Sequence, residues 1–281
     1  MVDPASPPCA SDLQALDDAL RLLAGAGVDL RDYRRDALLR RARQRAAAAG
    51  HADLGAYVQA LGGAPGELER LASALLLHVT GFFRDRPVFE ALRTTVLPSL
   101  ARGAARTLRC WSIGVATGEE AWSIAALLEE ARPGRWDVLA TDRDPASLAA
   151  AAAAAYPGDA LDAAPAWARE AALEPGALRA AALPLRAALR ARVRFARHDL
   201  LGPRLAPAEA VLASFDLVLC RNVIVYLDDR MRALALERAL AALEPGGALV
   251  LGAAESPPPS AAVEPWPGLP ATLRIFRRRT A

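Results

Sequence analysis

From Ser11 to about Leu100 the apolar positions recur at helical spacing, and no run alternates with a period of two. Leu13, Leu16, Leu20 and Leu23 form one stripe, with Ser11 placed to cap its start and Gly25 and Gly27 placed to stop it. Further helices are predicted over 31–49, 54–61 and 67–78, separated by Gly50 and by Gly62-Gly63-Ala64-Pro65-Gly66, with another after Pro87. From Leu108 the pattern changes. Short apolar runs now alternate with helical stretches, which predicts a parallel α/β sheet. The strands drawn are 108–114, 136–141, 192–197, 215–220, 247–253 and 272–278. The last follows the Pro-rich loop 257–270 and is expected to pair antiparallel, at or beside an edge. Ala149 to Ala155 reads as helix. Residues 156–191, Ala-rich and interrupted by Pro, read as short helices or a small insertion. The expected organisation is a disordered tail (1–10), a helical domain (11–85), a linker helix (86–107) and an α/β domain (108–281).

The segment from Cys110 to Ala125 carries the chemistry. It joins a strand to a helix through a turn containing Gly114 and Gly118, which lets a ligand approach the backbone and aims a helix N-terminus at it. Asp142 follows the second strand, about where nucleotide-binding folds place the acid that holds ribose hydroxyls. The spacing is not GxGxxG, and no Gly-Lys-Ser/Thr is present, which disfavours a nucleoside triphosphate. Glu119 and Glu120 at the helix mouth would repel a pyrophosphate and attract a cation such as a sulfonium or an α-amino group. That favours S-adenosylmethionine over NAD; the alternative is that both acids only complement the helix dipole. Asp199, and the polar end of the apolar strand at Arg221 and Asn222, occupy the strand ends where open sheets bind ligands. Phe82 and Phe83 beside Arg84 either plug a domain interface or serve the site.

Composition narrows the partners. The net charge is +2, too balanced to make nucleic acid or an anionic membrane the principal partner. All 34 basic residues are Arg, and no apolar run reaches transmembrane length. The first ten residues lack a basic segment followed by an apolar one, so no secretory signal is expected. Cys9, Cys110 and Cys220 read as reduced thiols of a cytoplasmic protein, and His51, His78 and His198 lie too far apart in sequence to suggest a metal site. The second helix sets Arg34, Arg35, Arg40, Arg41, Arg43 and Arg45 against Asp36. Leu39, Ala42 and Ala46 form its inner stripe, while Arg34, Arg41 and Arg45 share another face. That face is either simply solvated or a docking surface for an acidic partner.

Taken in order, several motifs resemble the chemotaxis receptor glutamate methyltransferase (CheR) family. They are Thr80-Gly81-Phe82-Phe83-Arg84-Asp85, Trp111-Ser112 through Thr117-Gly118-Glu119-Glu120, Ala140-Thr141-Asp142, Cys220-Arg221-Asn222-Val223 with Tyr226, and Glu255-Ser256. The Arg-rich stretch from Tyr33 to Arg45 fits the family's helical N-terminal domain. The resemblance implies a Rossmann-like sheet that binds S-adenosylmethionine, an all-helical N-terminal domain, and methylation of receptor glutamates. It implies that His78, Thr80, Arg84 and Ala116 reach the cofactor, Glu119 its methionine part, Asp142 its ribose, and Asp199 with Leu200 its adenine. Arg221 and Asn222 would line the open end of the sheet, and Arg84 with Tyr226 would stand nearest the transferred methyl. A structural alternative for Tyr226 is a residue capping the strand. Acidic receptor helices would be the partner of Arg34, Arg41 and Arg45.

The chain departs from the family pattern at four places. His78 and Asp199 stand where Asn is usual, Ala121-Trp122 replaces Pro-Tyr, and Gly252-Ala253-Ala254-Glu255 lacks a His. Residues 170–191 lack a Gly-rich hairpin of the sort that grips a receptor's C-terminal pentapeptide, so no such tether is expected. The alternative function is a catalytically weakened, cofactor-binding regulatory paralogue of the same fold.

Overall fold

A computed structural model describes residues 9–26, 28, 30, 33–64, 66–75, 80–101, 107–131, 134–174, 182–205, 214–257 and 262–280. The chain divides into two compact units: Met1–His78 with Tyr226–Met231, and Val79–Val225 with Arg232–Ala281.

The first unit is helical: α1 (Ala10–Gly25), α2 (Arg35–Ala48), α3 (Leu54–Ala60) and α4 (Glu67–Leu75). Its core gathers the α1 stripe (Leu16, Leu20, Leu23) with Leu38, Leu39, Ala42 and Ala46 of α2, Tyr57 of α3, and Leu71 and Leu75 of α4. Cys9, not Ser11, is the N-cap of α1, and the Asp12 carboxylate reaches back to the Cys9 N–H at 3.5 Å. Cys9 and Ala10 were expected in a disordered tail; residues 1–8 lie outside the described residues. Tyr226–Met231 joins this unit through a bridge between Tyr33 and Leu227 and through the Arg34 N–H, which donates to the Tyr226 carbonyl at 2.8 Å.

The second unit is built on a seven-stranded sheet of order β3-β2-β1-β4-β5-β7-β6. Its strands are β1 (Leu108–Ile113), β2 (Trp136–Asp142), β3 (Val193–Arg197), β4 (Phe215–Cys220), β5 (Leu243–Leu251), β6 (Val263–Pro265) and β7 (Ile275–Arg278). The first five are parallel, and β7 runs antiparallel to both β5 and β6. This is a Rossmann-like α/β sheet. Every residue of β4 is buried, as expected for a strand covered on both faces. Helices α5 (Arg86–Ala91), α6 (Leu97–Ala101), α7 (Glu119–Ala131), α8 (Pro145–Ala153), α9 (Ala166–Ala172), α10 (Ala187–Arg190) and α11 (Asp229–Ala241) complete the chain, with a π-helical stretch, Leu92–Val96, between α5 and α6.

Three expectations change. The segment Val79–Asp85 groups with the sheet unit rather than the helical one. The strand expected over 247–253 starts at Leu243, running through Pro245-Gly246-Gly247 with a register irregularity opposite Phe215 and Leu217. Gly247 is required there, because a Cβ would stand 2.9 Å from the Asp216 carbonyl. And 156–191 is not an appended module where it is described: α9 packs on α7, with Ala168, Ala171 and Ala172 in the main core. Residues 175–181, where much of the expected absence of a hairpin falls, lie outside the described residues. Among the described residues no helix is long and apolar enough to cross a membrane.

Candidate functional site

At the C-terminal ends of β1 and β2 the chain makes a tight turn through Gly114 (φ 69°), Ala116 (φ 48°) and Gly118 (φ 95°). The glycines are needed for packing as much as for φ. A Cβ at Gly114 would meet Val223 Cγ2 at 2.4 Å, and one at Gly118 would meet Ala151 Cβ at 2.6 Å. The side-chain direction at both positions is thus filled by protein. Ala116 has no such freedom and holds a left-handed conformation because Asp142 fixes it: its N–H donates to Asp142 Oδ2 at 2.8 Å. Asp142 Oδ1 accepts from the Asp144 N–H at 2.9 Å. The buried carboxylate keeps further lone pairs on both oxygens.

Glu119 and Glu120 open α7 but do different work. Glu119 is half-buried and accepts the Thr117 hydroxyl at 2.7 Å; among the described residues it has no salt bridge. Glu120 accepts from Ser112 Oγ at 2.7 Å and from Arg221 Nη1 at 2.9 Å. Its charge is therefore neutralised inside the protein. The electrostatic preference for a cation, expected from two acids, rests on Glu119.

The strap that carries Thr80 and Arg84 is anchored from several sides. The Phe83 N–H donates to Ser123 Oγ at 2.9 Å, and Ser123 donates in turn to the Glu119 carbonyl at 2.7 Å. Phe83 is buried edge-to-face against Phe89 and Trp167, and Phe82 stacks edge-on with Tyr156. Phe83 (φ 51°) and Asp85 (φ 63°) are both left-handed without being glycine. Arg221 Nη2 reaches Asp85 Oδ2 at 2.6 Å and the Arg84 carbonyl at 3.0 Å. Arg84 itself projects from an exposed position, while Thr80 is half-buried.

Behind β4 the turn 221–225 is clamped by Glu255. Its carboxylate accepts from the N–H groups of Gly252 (2.7 Å), Asn222 (3.0 Å) and Val225 (3.0 Å). Burial pushes the Glu255 carboxyl above the usual carboxylate range, and these backbone donors oppose that rise. Burial likewise raises the Cys110 and Cys220 thiols, which leaves both inert. Beyond β3, exposed Asp199 accepts the Leu201 N–H at 3.0 Å, beside buried Leu200 whose carbonyl takes Arg238 Nη1 at 2.6 Å.

The remaining candidates belong to the helical unit or lie outside the described residues. His78 falls outside the described residues. Tyr226 groups with the helical unit, where the Arg41 guanidinium stands 4.5 Å from its ring centroid. Arg41 is buried and donates to the Leu75 carbonyl at 2.6 Å. Arg45 forms a two-pronged pair with Glu67 at 2.7 and 2.8 Å. Only Arg34 of the expected docking trio is exposed, and it pairs with Asp36 at 2.9 Å. Arg41 and Arg45 thus spend their charge inside the helical unit, because helical spacing turns them towards α4 rather than outward.

Ser123 was not singled out by sequence, Ser112 and Glu255 entered only as members of the family motifs, and Glu120 was read as facing the ligand, whereas it turns inward to Ser112 and Arg221. A signal existed for the serines: each sits inside an apolar run, Trp111-Ser112-Ile113 and Trp122-Ser123-Ile124, and a buried hydroxyl needs a partner.

The donor set fits S-adenosylmethionine. Asp142 offers acceptors for a ribose diol, Glu119 an anion for a sulfonium or α-amino group, and Leu200 with Asp199 an apolar face and an acceptor for an adenine. Residues 78–264 match the family model described as CheR methyltransferase, SAM binding domain, and residues 18–76 match CheR methyltransferase, all-alpha domain. The chain is 31% identical over 242 residues to the chemotaxis protein methyltransferase of Escherichia coli K12, covering 82% of this chain and 80% of that protein. It is 32% identical over 189 residues to the chemotaxis protein methyltransferase of Listeria monocytogenes, covering 67% and 69%. An uncharacterised 104.1 kDa protein of Rhodobacter capsulatus is 34% identical over 251 residues, 86% of this chain; the match spans a quarter (25%) of that longer protein. S-adenosylmethionine is therefore the cofactor of the sheet unit. With both of its units matched by the two domain models, and with relatives aligned across most of its length, the chain belongs to the CheR methyltransferase family.

Proposed function

We propose that this protein methylates glutamate side chains of chemoreceptors in the cytoplasm. The observation that carries the reading is the placing, at the ends of β1 and β2, of a buried acid with spare acceptor capacity (Asp142) and an acid that forms no ion pair among the described residues (Glu119). Bound S-adenosylmethionine supplies a methyl group on a sulfonium leaving group. A glutamate with an ordinary pKa of about 4.3 is already an anion at neutral pH, so no general base is required. One carboxylate oxygen forms the new O–CH₃ bond as the S–CH₃ bond breaks, and sulfur keeps the electron pair as a neutral thioether.

The protein's task is then to hold the carboxylate, exclude water and align it. Arg84 has the fork to orient a carboxylate. Too tight a grip would lower the oxygen's nucleophilicity, which suits an orienting role for this exposed side chain. Thr80, Ala116, Asp199, Leu200 and Asn222 are assigned to the cofactor, and Tyr226 to the reacting methyl, on the strength of the family pattern. An acidic receptor helix remains the proposed partner. The exposed cations at α2 and its N-cap are Arg34, Arg35 and Arg40 rather than Arg41 and Arg45, with Arg34 paired to Asp36 and Arg35 to Asp17.

The test combines calorimetry with S-adenosylhomocysteine and transfer of labelled methyl groups to receptor-bearing membranes. Cofactor binding with base-labile incorporation supports the proposal. Binding without incorporation would replace it with a regulatory, non-catalytic role, for which the missing His in the 252–256 loop is the motivating feature. No binding at all would overturn it.

A further inference from the structure

The sheet unit holds a polar chain that the proposed chemistry does not use, running from buried Ser112 and Arg221 through half-buried Glu120 to exposed Asp85. Arg221 is its hub. The side chain is 2% exposed, and both Nη atoms are spent on Glu120, Asp85 and the Arg84 carbonyl. Its Nε is buried without a hydrogen-bond partner, and the guanidinium lies 5.6 Å from the Phe89 ring centroid. A guanidinium so occupied has little left to offer a ligand, despite its place at the end of β4.

What it grips is the strap. Arg84 sits between two left-handed residues, Phe83 and Asp85, a conformation that persists only where the surroundings over-determine it. The Phe83 side is fixed by Ser123 and the aromatic cluster. The Asp85 side is fixed by Arg221, which holds the backbone carbonyl of Arg84 and the next side chain in one fork. Because the peptide is planar, a held carbonyl limits the direction in which the Arg84 side chain leaves the strap.

We infer that Arg221 is a positioning residue: through Glu120 and Asp85 it sets the strap geometry that aims Arg84, and its guanidinium does not contact the cofactor. The inference rests on the methyltransferase reading for its kinetic consequence but not for its structural one. Lysine would keep the charge yet could not span two carboxylates and a carbonyl, so Arg221→Lys is the informative change.

The test uses the full-length chain as wild type, Arg221→Lys, Asp85→Asn and the double variant. Hydrogen exchange is followed at residues 80–88, where the Phe83 and Val88 amides are bonded, and in β1 and β2 as internal controls. Arg221→Lys is expected to speed exchange in the strap by about tenfold with β1 and β2 unchanged. S-adenosylhomocysteine affinity should stay within about threefold while kcat falls about tenfold, the mark of a lost orienting interaction. Asp85→Asn, at a half-exposed carboxylate, should act in the same direction, and the double variant should fall short of the product of the two.

An unchanged strap, or a loss of affinity matching the loss of rate, would overturn the inference and make Arg221 a ligand or a bystander. If Arg221→Lys loosens β1 and β2 as well, Asp85→Asn decides: local loosening sustains the idea and wild-type behaviour sinks it. Should the wild type bind no S-adenosylhomocysteine, the functional proposal fails while the exchange result still judges the clasp.

Discussion

Replacing Asp142 with Asn removes one acceptor oxygen from a carboxylate that serves two backbone amides. In the native structure Oδ2 takes the Ala116 N–H at 2.8 Å and Oδ1 takes the Asp144 N–H at 2.9 Å. An amide side chain has one acceptor, so one of these donors must face an NH₂ group in a buried setting. A hydrogen bond to a charged group contributes about 1.5–3 kcal/mol. Ala116 is left-handed at φ 48°, which costs roughly 1–2 kcal/mol, and losing its fixed partner lets that strain be released only by opening the turn. The expected destabilisation of the sheet unit is therefore about 2–3 kcal/mol, or a fall in Tm of about 4–10 °C for a unit of this size. All five tryptophans lie in the sheet unit, so tryptophan fluorescence follows its melting separately from the helical unit. The same substitution withdraws an anionic acceptor from the ribose, and S-adenosylhomocysteine should bind about tenfold to a hundredfold more weakly by calorimetry. A wild-type Tm would show that Asp142 does not hold the turn. Wild-type affinity with a lowered Tm would remove Asp142 from the cofactor site and keep it as a purely structural acid.

Other substitutions test other links. Arg84→Ala should lower kcat about a hundredfold with S-adenosylhomocysteine affinity nearly unchanged, and equal losses in both would make Arg84 a cofactor ligand instead. Gly118→Ala places a methyl 2.6 Å from Ala151 Cβ at a φ of 95° and should cost about 2–4 kcal/mol by urea unfolding; a neutral result would mean that α7 and α8 can separate freely. In the helical unit, the Arg45 guanidinium, helped by Arg70 and Tyr57, holds the Glu67 carboxyl down to about 2 from an ordinary 4.5. A depressed acid stabilises above its unfolded pKa and loses that contribution as pH falls through the folded one. Helical-unit stability should thus decline from about pH 4.5 towards pH 2, by about 2 kcal/mol after allowing for solvent screening. Circular dichroism of Glu67→Gln should show that decline reduced, and an undiminished decline would assign it to other acids.

Much of the fold follows from features that act locally. Strands β1, β2 and β4 are largely apolar because both faces of a parallel sheet are covered, and that signature needs no tertiary information, whereas β3 (Val193–Arg197), at the sheet edge, exposes Arg194 and Arg197. β6 is three residues ending in Pro265, in a Pro-rich stretch, and is a strand only because β7 lends it a partner at the sheet edge. β5 begins in Glu244-Pro245-Gly246-Gly247, which reads as a turn; an irregular pairing with β4 makes it a strand. In the site, Asp142 and Glu119 are named by their distance from a strand end. The partners of Arg221 could not be, since Asp85, Glu120 and Ser112 come from three separate segments that only the folded sheet brings together.

The fate of the two glutamates shows where a purely physical reading of the sequence could have gone one step further. Neighbours on an α-helix point about 100° apart, so two adjacent acids at a helix start cannot both face the same ligand. One of them must turn towards whatever the helix packs against. Here that is a parallel sheet whose interior offers a serine on β1 and an arginine at the end of β4, and Glu120 takes both. Such a buried carboxylate is tolerable only because it is paired and hydrogen-bonded. Its pairing in turn occupies Arg221, the cation at the end of β4. The cation preference rests on Glu119, and Glu120 bears on it only by keeping Arg221 neutralised. Removing the internal acid should release a cation next to the site, so Glu120→Gln is expected to weaken binding of the positively charged S-adenosylmethionine more than that of neutral-sulfur S-adenosylhomocysteine. Equal effects on the two ligands, measured by competition, would mean that Glu120 acts on the strap alone and contributes nothing to the field at the sulfur.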